Sequence, residues 1–331
     1  MKKYLARLYN KSVSIKRAVR RLVKEKLNDI VIRKYYNLLA NTKFEQKQKF
    51  NSLKARFLEQ YQEVLRYDEE DFVSPAWQNW NKKIEREFTP HPPFNFLRIK
   101  TIRSTMFVAH DKWFEEEMNF LKNKYDDSEL NILLREDYVG KPVLAKSRYL
   151  TSYSTIHHLY GLARYVDQTK MNLSRFNTIV EWGGGYGDLA KIARRHGTPK
   201  QTYIIIDTAL FTCLQWLYLS TIFGEDKTNL IKDPGDEIKP GLINILPIAL
   251  LKNRHIKADL FISTWALSES SENAQSFVIN NNFFDTKHFL VAYDEAARQF
   301  PSVLHLEKKL LEKGCKVGNI KFLPSSRLML S

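Results

Sequence analysis

Cysteine is nearly missing: Cys213 and Cys315 are the only two in 331 residues. Two thiols build neither a disulfide framework nor, by themselves, a zinc site, and their scarcity suits a reducing, cytoplasmic setting. Glycine is sparse as well, at 12 residues. No internal repeat or low-complexity tract is present. The first residues, MKKYLARLYNKSVSIKRAVRR, lack the continuous apolar core of a signal peptide. The longest uncharged run, TALFTCLQWLYLSTIFG, is interrupted by Thr, Gln and Ser and directly follows an acidic strand end. It therefore predicts a buried helix, not a membrane span.

What the chain does hold is apolar mass, 44% hydrophobic and 13% aromatic, enough for a full core in one large domain with an appendage. Charge is unevenly spread. Residues 1–60 carry 17 Lys/Arg against four Asp/Glu, a surplus of 13 out of the chain's +15. The basicity thus belongs to an appendage and says little about the substrate of the main domain. Leu5, Leu8, Ile15, Val19, Leu22 and Val23 recur at three- and four-residue steps, which predicts an amphipathic helix. Such a helix suits a solvated hairpin or coiled coil, or contact with an anionic membrane or a partner protein. Nucleic acid is the least supported partner, because no reading module accompanies the charge.

Residues 61–150 read as irregular and helical, broken by FTPHPPFNF. After Arg175, apolar runs of strand length alternate with amphipathic helices. NTIVEW, TYIIID, LINILPI, ADLFISTW and KHFLVAYDE predict strands, while GDLAKIARRHG, ALFTCLQWLYLSTIFG and SVLHLEKKLLEKG predict helices. That alternation means an α/β fold with a parallel sheet covered on both faces. CKVGNIKFL, a turn at PSS, and RLMLS close the chain as a hairpin, so the last strand is expected to run antiparallel.

Four of the 12 glycines fall within five positions, in VEWGGGYGDLAKIARR. A strand, a glycine turn and a helix in that order form a nucleotide-binding unit, whose glycines let backbone approach a ligand. The register is Glu181-x-Gly183-x-Gly185-x-Gly187, and Asp188 stands where a dinucleotide site would want its third glycine. Asp207 closes the second strand, where a carboxylate can take both hydroxyls of a ribose. An adenosyl ligand follows. The acid before the first glycine and the terminal hairpin favour S-adenosyl-L-methionine (SAM) over NAD.

On TIHHLYGLARY, IVEWGGGYGDLAKI, YIIIDTALFTCLQWLYLS and DLFISTWALSES, in that order and spacing, the chain resembles the class I SAM-dependent methyltransferases. Within them it is similar to the sugar O-methyltransferases of bacterial surface-polysaccharide gene clusters. The resemblance covers roughly residues 151–331. It implies a Rossmann-like methyltransferase sheet with an antiparallel last strand, preceded by a helical N-terminal region. It also implies Glu181, Gly183, Gly185, Gly187 and Asp207 as SAM positions, with Ser263, Thr264 and Trp265 facing cofactor and acceptor. DTALF departs from the family, in which a proline is expected soon after the acid.

A sugar hydroxyl is a weak nucleophile, so a general base is expected, typically adding about 10²–10⁴-fold. His157, His158 and Glu269 are the candidates, with Asp294 a further acid at a strand end. Adjacent helical residues point about 100° apart, so one histidine, with His158 preferred, is expected to face the cleft and the other to be structural. Asp294 and Glu295 read as helix N-terminal acids, and no metal site is assigned. HPPF, at His91–Phe94, resembles an amino-methyltransferase motif but lacks the apolar strand and the leading amide, so it reads as a proline-kinked loop.

These readings predict a basic helical element at 1–60, a helical lid at 61–150 and a SAM-binding domain at 151–331. The expected activity is methyl transfer to a sugar hydroxyl of a bacterial polysaccharide or its lipid- or nucleotide-linked precursor. The protein would be cytoplasmic, with residues 1–60 available for peripheral contact with the inner membrane face or a polysaccharide-assembly protein. Two alternatives are an RNA or protein methyltransferase guided by the basic arm, and a non-catalytic SAM-fold scaffold.

Overall fold

The computed structural model describes residues 40–106, 112–145, 147–252, 254–294, 304–320 and 323–331, with eight helical residues between Lys16 and Ile30. Leu5, Leu8, Ile15 and Glu295 lie outside the described residues. The chain divides into two compact units, Met1–Glu45 and Gln46–Ser331. Residues 46–60, grouped by charge with the basic element, belong to the second unit, and there Phe50 and Phe57 are fully buried. Burying such a side chain stabilises by about 1.5–3 kcal/mol, which outweighs the mild preference of its basic neighbours for water.

The helices are α1 (Ala40–Lys54), α2 (Phe57–Val64), α3 (Pro75–Phe88), α4 (Lys100–Thr105), α5 (Phe114–Lys122), α6 (Asp127–Leu133), α7 (Tyr153–Thr169), α8 (Asp188–His196), α9 (Ala209–Phe223), α10 (Ala266–Glu269), α11 (Glu272–Asn280) and α12 (Leu304–Glu312). The strands are β1 (Thr178–Trp182), β2 (Thr202–Asp207), β3 (Thr228–Leu230), β4 (Ile243–Pro247), β5 (Leu260–Thr264), β6 (His288–Asp294), β7 (Lys316–Ile320) and β8 (Leu323–Leu330). They form one sheet in the order β3-β4-β2-β1-β5-β6-β8-β7. All pairings are parallel except β6–β8 and β7–β8. This is the Rossmann-like class I methyltransferase sheet, with its antiparallel strand inserted next to β6. The three-residue edge strand β3 was not foreseen, because TNL is too short and too polar to carry a strand pattern. PSS is not the turn: Pro324, Ser325 and Ser326 lie inside β8.

Both faces of the sheet are covered, so its central strands β1, β2, β5 and β6 are nearly continuous apolar runs instead of alternating. Ile179, Ile205, Ile245 and Ile262 face one core, shared with α7–α9 and with the α1–α5 region. Val180, Ile204, Phe261 and Val291 face the other. The run after Asp207 is α9, and the polar residues that interrupt it, Thr212, Gln215 and Ser220, are buried with the rest. No helix among the described residues is long and apolar enough to cross a membrane.

Helix α7 starts where the Ser152 side chain caps it, accepting from Thr155 N at 3.1 Å. Beneath its first turn lies a buried charge cluster. Lys191 Nζ, fully buried, sits 2.7 Å from Asp188 and 2.9 Å from Glu136. Burial disfavours the Lys191 charge, but Asp188 and Glu136 outweigh that and raise its pKa. Asp188 is likewise penalised by burial, yet Lys191 and His158 hold its carboxyl below the ordinary range.

Candidate functional site

β1 pairs with β2 on one side and with β5 on the other, so the chain reverses its direction of winding at β1. Open α/β sheets bind ligands at such a switch point, beyond the carboxyl ends of the strands. A solvent-open cleft of about 1010 Å³ lies there, lined by the glycine turn, the ends of β2 and β5, the start of α7, and Phe72–Ser74, Trp77 and Met106 from the preceding region.

The glycines of the turn serve two ends. Gly183, Gly185 and Gly187 all have positive φ. A Cβ at Gly183 would come within 2.1 Å of the Ala266 Cβ, and one at Gly187 within 3.1 Å of Leu219. Packing inside the protein therefore demands those two glycines, where the sequence had suggested ligand approach. At Gly185 an added Cβ would meet only the Met106 sulfur, at 3.5 Å. Gly185 is the position that faces open cleft.

Two buried carboxylates flank the turn. Glu181 is 2% exposed and accepts from Tyr203 Oη at 2.9 Å. Burial pushes its carboxyl up to about 8. Asp207 accepts from Gly185 N at 3.2 Å, Thr208 N at 2.8 Å and Gln215 Nε2 at 2.7 Å. Burial still pushes it up to about 7. Gln215 also donates to Gly185 O at 2.9 Å, tying loop to acid. Glu69, between α2 and α3, accepts from Ala209 N at 2.8 Å and is pushed by burial to about 7. Thr208 and Ala209, where the resemblance led to the expectation of a proline, both use amide N–H groups that a proline would lack.

Raised carboxyl pKa values mark anionic sites held without a cation to match. A ligand bringing positive charge would restore the balance. Two buried polar atoms at the cleft, Ser74 Oγ and Tyr186 Oη, also have no hydrogen-bond partner among the described residues. These features suit a ligand that is cationic at one end and polar at the other.

At the β5 end, Thr264 and Trp265 line the cleft, but Ser263 does not. Ser263 is fully buried; its Oγ donates to Trp182 O at 3.3 Å and accepts from Leu267 N at 2.9 Å, bracing the turn into α10. Trp265 has φ +67°, a left-handed conformation costing about 1–2 kcal/mol in a bulky residue. Its indole stacks on His157 with ring centroids 5.1 Å apart.

Both histidines line the cleft, not one, because the cleft wraps around the first turns of α7. His157 Nδ1 bonds to Glu117 on α5, and His158 Nδ1 lies 2.8 Å from Asp188 Oδ2. His158 therefore joins the buried charge cluster, while His157 joins the aromatic wall. Glu269 also lines the cleft, where it accepts from Trp77 Nε1 at 3.0 Å. Burial raises its carboxyl to about 7, the Trp77 bond opposes the rise, and Asp294 adds to it. A Trp77→Phe substitution should therefore raise the Glu269 pKa further, and carbon NMR of labelled Glu side chains would read the shift. An unchanged or lowered value would refute that assignment.

HPPF lies in the loop after α3 and does not line the cleft. Among the described residues, no group of three or more His, Cys, Asp and Glu could hold a metal ion. Glu69, Trp77 and Glu117 were missed because they come from far along the chain. Gln215 had a readable signal, a polar residue in the middle of an apolar helix.

No protein-family model matches the chain, and no curated protein matches it. Among solved structures it is similar to the mitomycin 7-O-methyltransferase MmcR, at 14% identity over 70% of this chain and 69% of that one, with a TM-score of 0.37. It is similar to the pyocyanin biosynthetic protein PhzM, at 12% identity over 70% of each chain, with a TM-score of 0.34. A third is Aeropyrum pernix fibrillarin with natively bound SAM, at 12% identity over 52% of this chain and 74% of that one, with a TM-score of 0.34.

Proposed function

We propose that this chain is a SAM-dependent O-methyltransferase whose acceptor is a sugar hydroxyl of a bacterial polysaccharide or its precursor. One observation carries the reading. A single cleft joins an open glycine turn between two uncompensated buried carboxylates to a carboxylate-held histidine on an aromatic wall. When bound, SAM supplies a methyl group activated on a sulfonium. Glu181 would hold its ammonium group, Asp207 its ribose hydroxyls, and Gly185 the space that the ligand needs. His157 takes the acceptor's hydroxyl proton at Nε2, while Glu117 at Nδ1 orients the ring and stabilises the imidazolium. Trp265 and Trp77 offer flat apolar faces for a sugar ring, and Glu269 offers an acceptor for its other hydroxyls. Holding both reactants in one cleft supplies much of the acceleration, since well-oriented groups reach effective molarities of roughly 10⁵–10⁸ M.

Calorimetry with SAM and S-adenosylhomocysteine tests the cofactor. Micromolar binding is expected. Gly185→Val should weaken it more than about ten-fold, since the side chain fills ligand space at a position where little else is touched. Asp207→Ala should weaken it by about ten-fold through loss of a charged acceptor. Tight NAD binding without a response to SAM would overturn the reading. Mass spectrometry of the host's surface glycan, with and without the protein, tests the acceptor; an unchanged glycan counts against a sugar.

A further inference from the structure

The unit Met1–Glu45 holds a feature that methyl transfer does not use. Its described residues between Lys16 and Ile30 are helical, and every one of them is exposed. Five are large and apolar: Val19, Leu22, Val23, Leu27 and Ile30, each 51–60% exposed. At 100° per residue they fall within a sector of about 140° on one side of the helix. Elsewhere among the described residues, exposed large apolar side chains are scattered singly, as at Leu65, Ile132 and Leu311. Scattered ones are ordinary, whereas a contiguous stripe is a surface waiting for a partner.

The charge around the stripe selects the partner. Lys16, Arg20 and Lys26 are exposed, Lys16 and Lys26 within the apolar sector and Arg20 just past one edge of it. A second copy of the helix would suit a heptad seam, but every frame places a charge in that seam. Val19, Val23 and Ile30 share theirs with Lys16 and Lys26; Val23, Leu27 and Ile30 theirs with Lys16 and Arg20; and Val19 and Leu22 theirs with Lys26 and Asp29. Two such surfaces, each from a segment with a surplus of 13 positive charges over residues 1–60, would also repel. A lipid surface has neither difficulty. Lysine stems lie along apolar surface while their ammonium groups reach the headgroup layer. A helix of this kind lies in the interface plane, with its apolar face at the acyl boundary and its basic residues on anionic headgroups.

We propose that the helical residues described between Lys16 and Ile30 dock this protein on an anionic phospholipid surface. Docking needs both parts of the surface: the apolar face for insertion and the basic residues for attraction, each of the latter contributing roughly five-fold in partition near the membrane.

The test is co-sedimentation of the full chain with phosphatidylcholine vesicles, with and without phosphatidylglycerol. Binding is expected only to the anionic vesicles and should fade as salt rises. Leu22→Glu with Leu27→Glu should abolish it, although the basic residues remain. Arg20→Gln with Lys26→Gln should weaken it more than ten-fold, by the five-fold contribution of each residue. Circular dichroism and SAM binding should be unchanged in both variants, so a failure here is separate from a failure of the cofactor assignment. If the first pair unfolds the segment, the second pair still decides. Equal binding to neutral vesicles, or none to either kind, overturns the proposal. So does self-association or retention of a nucleic acid that Leu22→Glu with Leu27→Glu removes, with vesicles left unbound.

Discussion

Replacing His157 with Gln is expected to lower kcat by roughly 10²-fold or more, while SAM affinity moves by no more than a few-fold. His157 is 8% exposed, its Nδ1 is committed to Glu117, and its ring is pinned by the Trp265 stack. With Nδ1–H donated to a carboxylate, the basic lone pair is the one at Nε2. Removing the ring removes the proton acceptor and leaves the glycine turn and Glu181 as they are. His158→Gln should behave differently. Its Nδ1 bonds to Asp188, whose other contacts run to Lys191 and Thr155 in the buried cluster. Losing a hydrogen bond to a charged partner costs about 1.5–3 kcal/mol, so His158→Gln should show chiefly as a lower melting temperature. If His158→Gln lost turnover at unchanged stability while His157→Gln kept it, the roles would be exchanged. If both retained turnover, the base would be Glu269, and kcat would fall below a pH of about 7 as that carboxyl protonates.

SAM affinity should pass through a maximum near pH 8 and drop by roughly 20-fold on going to pH 6 through Glu181 and the ligand's amino group together. The cause is a proton that must leave. The Glu181 carboxyl sits at about 8 in the ligand-free protein, so near pH 6 it is almost wholly protonated. It must ionise to hold an ammonium group, and the apparent affinity scales with the ionised fraction. Above the maximum, the ligand's own amino group, with an ordinary pKa of about 7.7–8.0, loses its proton. Asp207, at about 7, adds up to roughly another ten-fold at the acid end if its charge is also required. Calorimetry in buffers of different ionisation enthalpy should show proton release on binding below pH 8.

The same group sets the sign for stability. Glu181 is raised above its unfolded value of 4.5, so the folded state binds its proton more tightly. Stability is then lost as pH rises from about 4.5 through 8. Glu181→Gln should therefore raise the melting temperature of the ligand-free protein at pH 8 while weakening SAM and flattening its pH dependence. A variant with full SAM affinity and an unchanged pH profile would remove Glu181 from the site.

Apart from β3, α10 and α11, the order of strands and helices from Thr178 onwards was legible in the sequence, because those elements carry their own period: continuous apolar runs for strands covered on both faces, three- and four-residue steps for helices. The glycine turn and Asp207 were legible for a related reason. A strand, a tight turn and a helix are local, so residues close in sequence are close in space. The sequence could not tell which glycine serves the ligand. Gly183 and Gly187 answer to Ala266 and Leu219, which reach them only through the folded sheet. Nor could it tell how the histidines divide their work. Helix geometry places their side chains about 100° apart, but a cleft that wraps a helix end accepts both, and Glu117 and Asp188 then give each a different partner. The raised carboxyls at Glu69, Glu181, Asp207 and Glu269 belong wholly to tertiary structure. Their cause is burial, and burial depends on what the rest of the folded chain brings over them. Local pattern determined which elements this protein has; only the packed fold decided which side chains confront one another across the cleft.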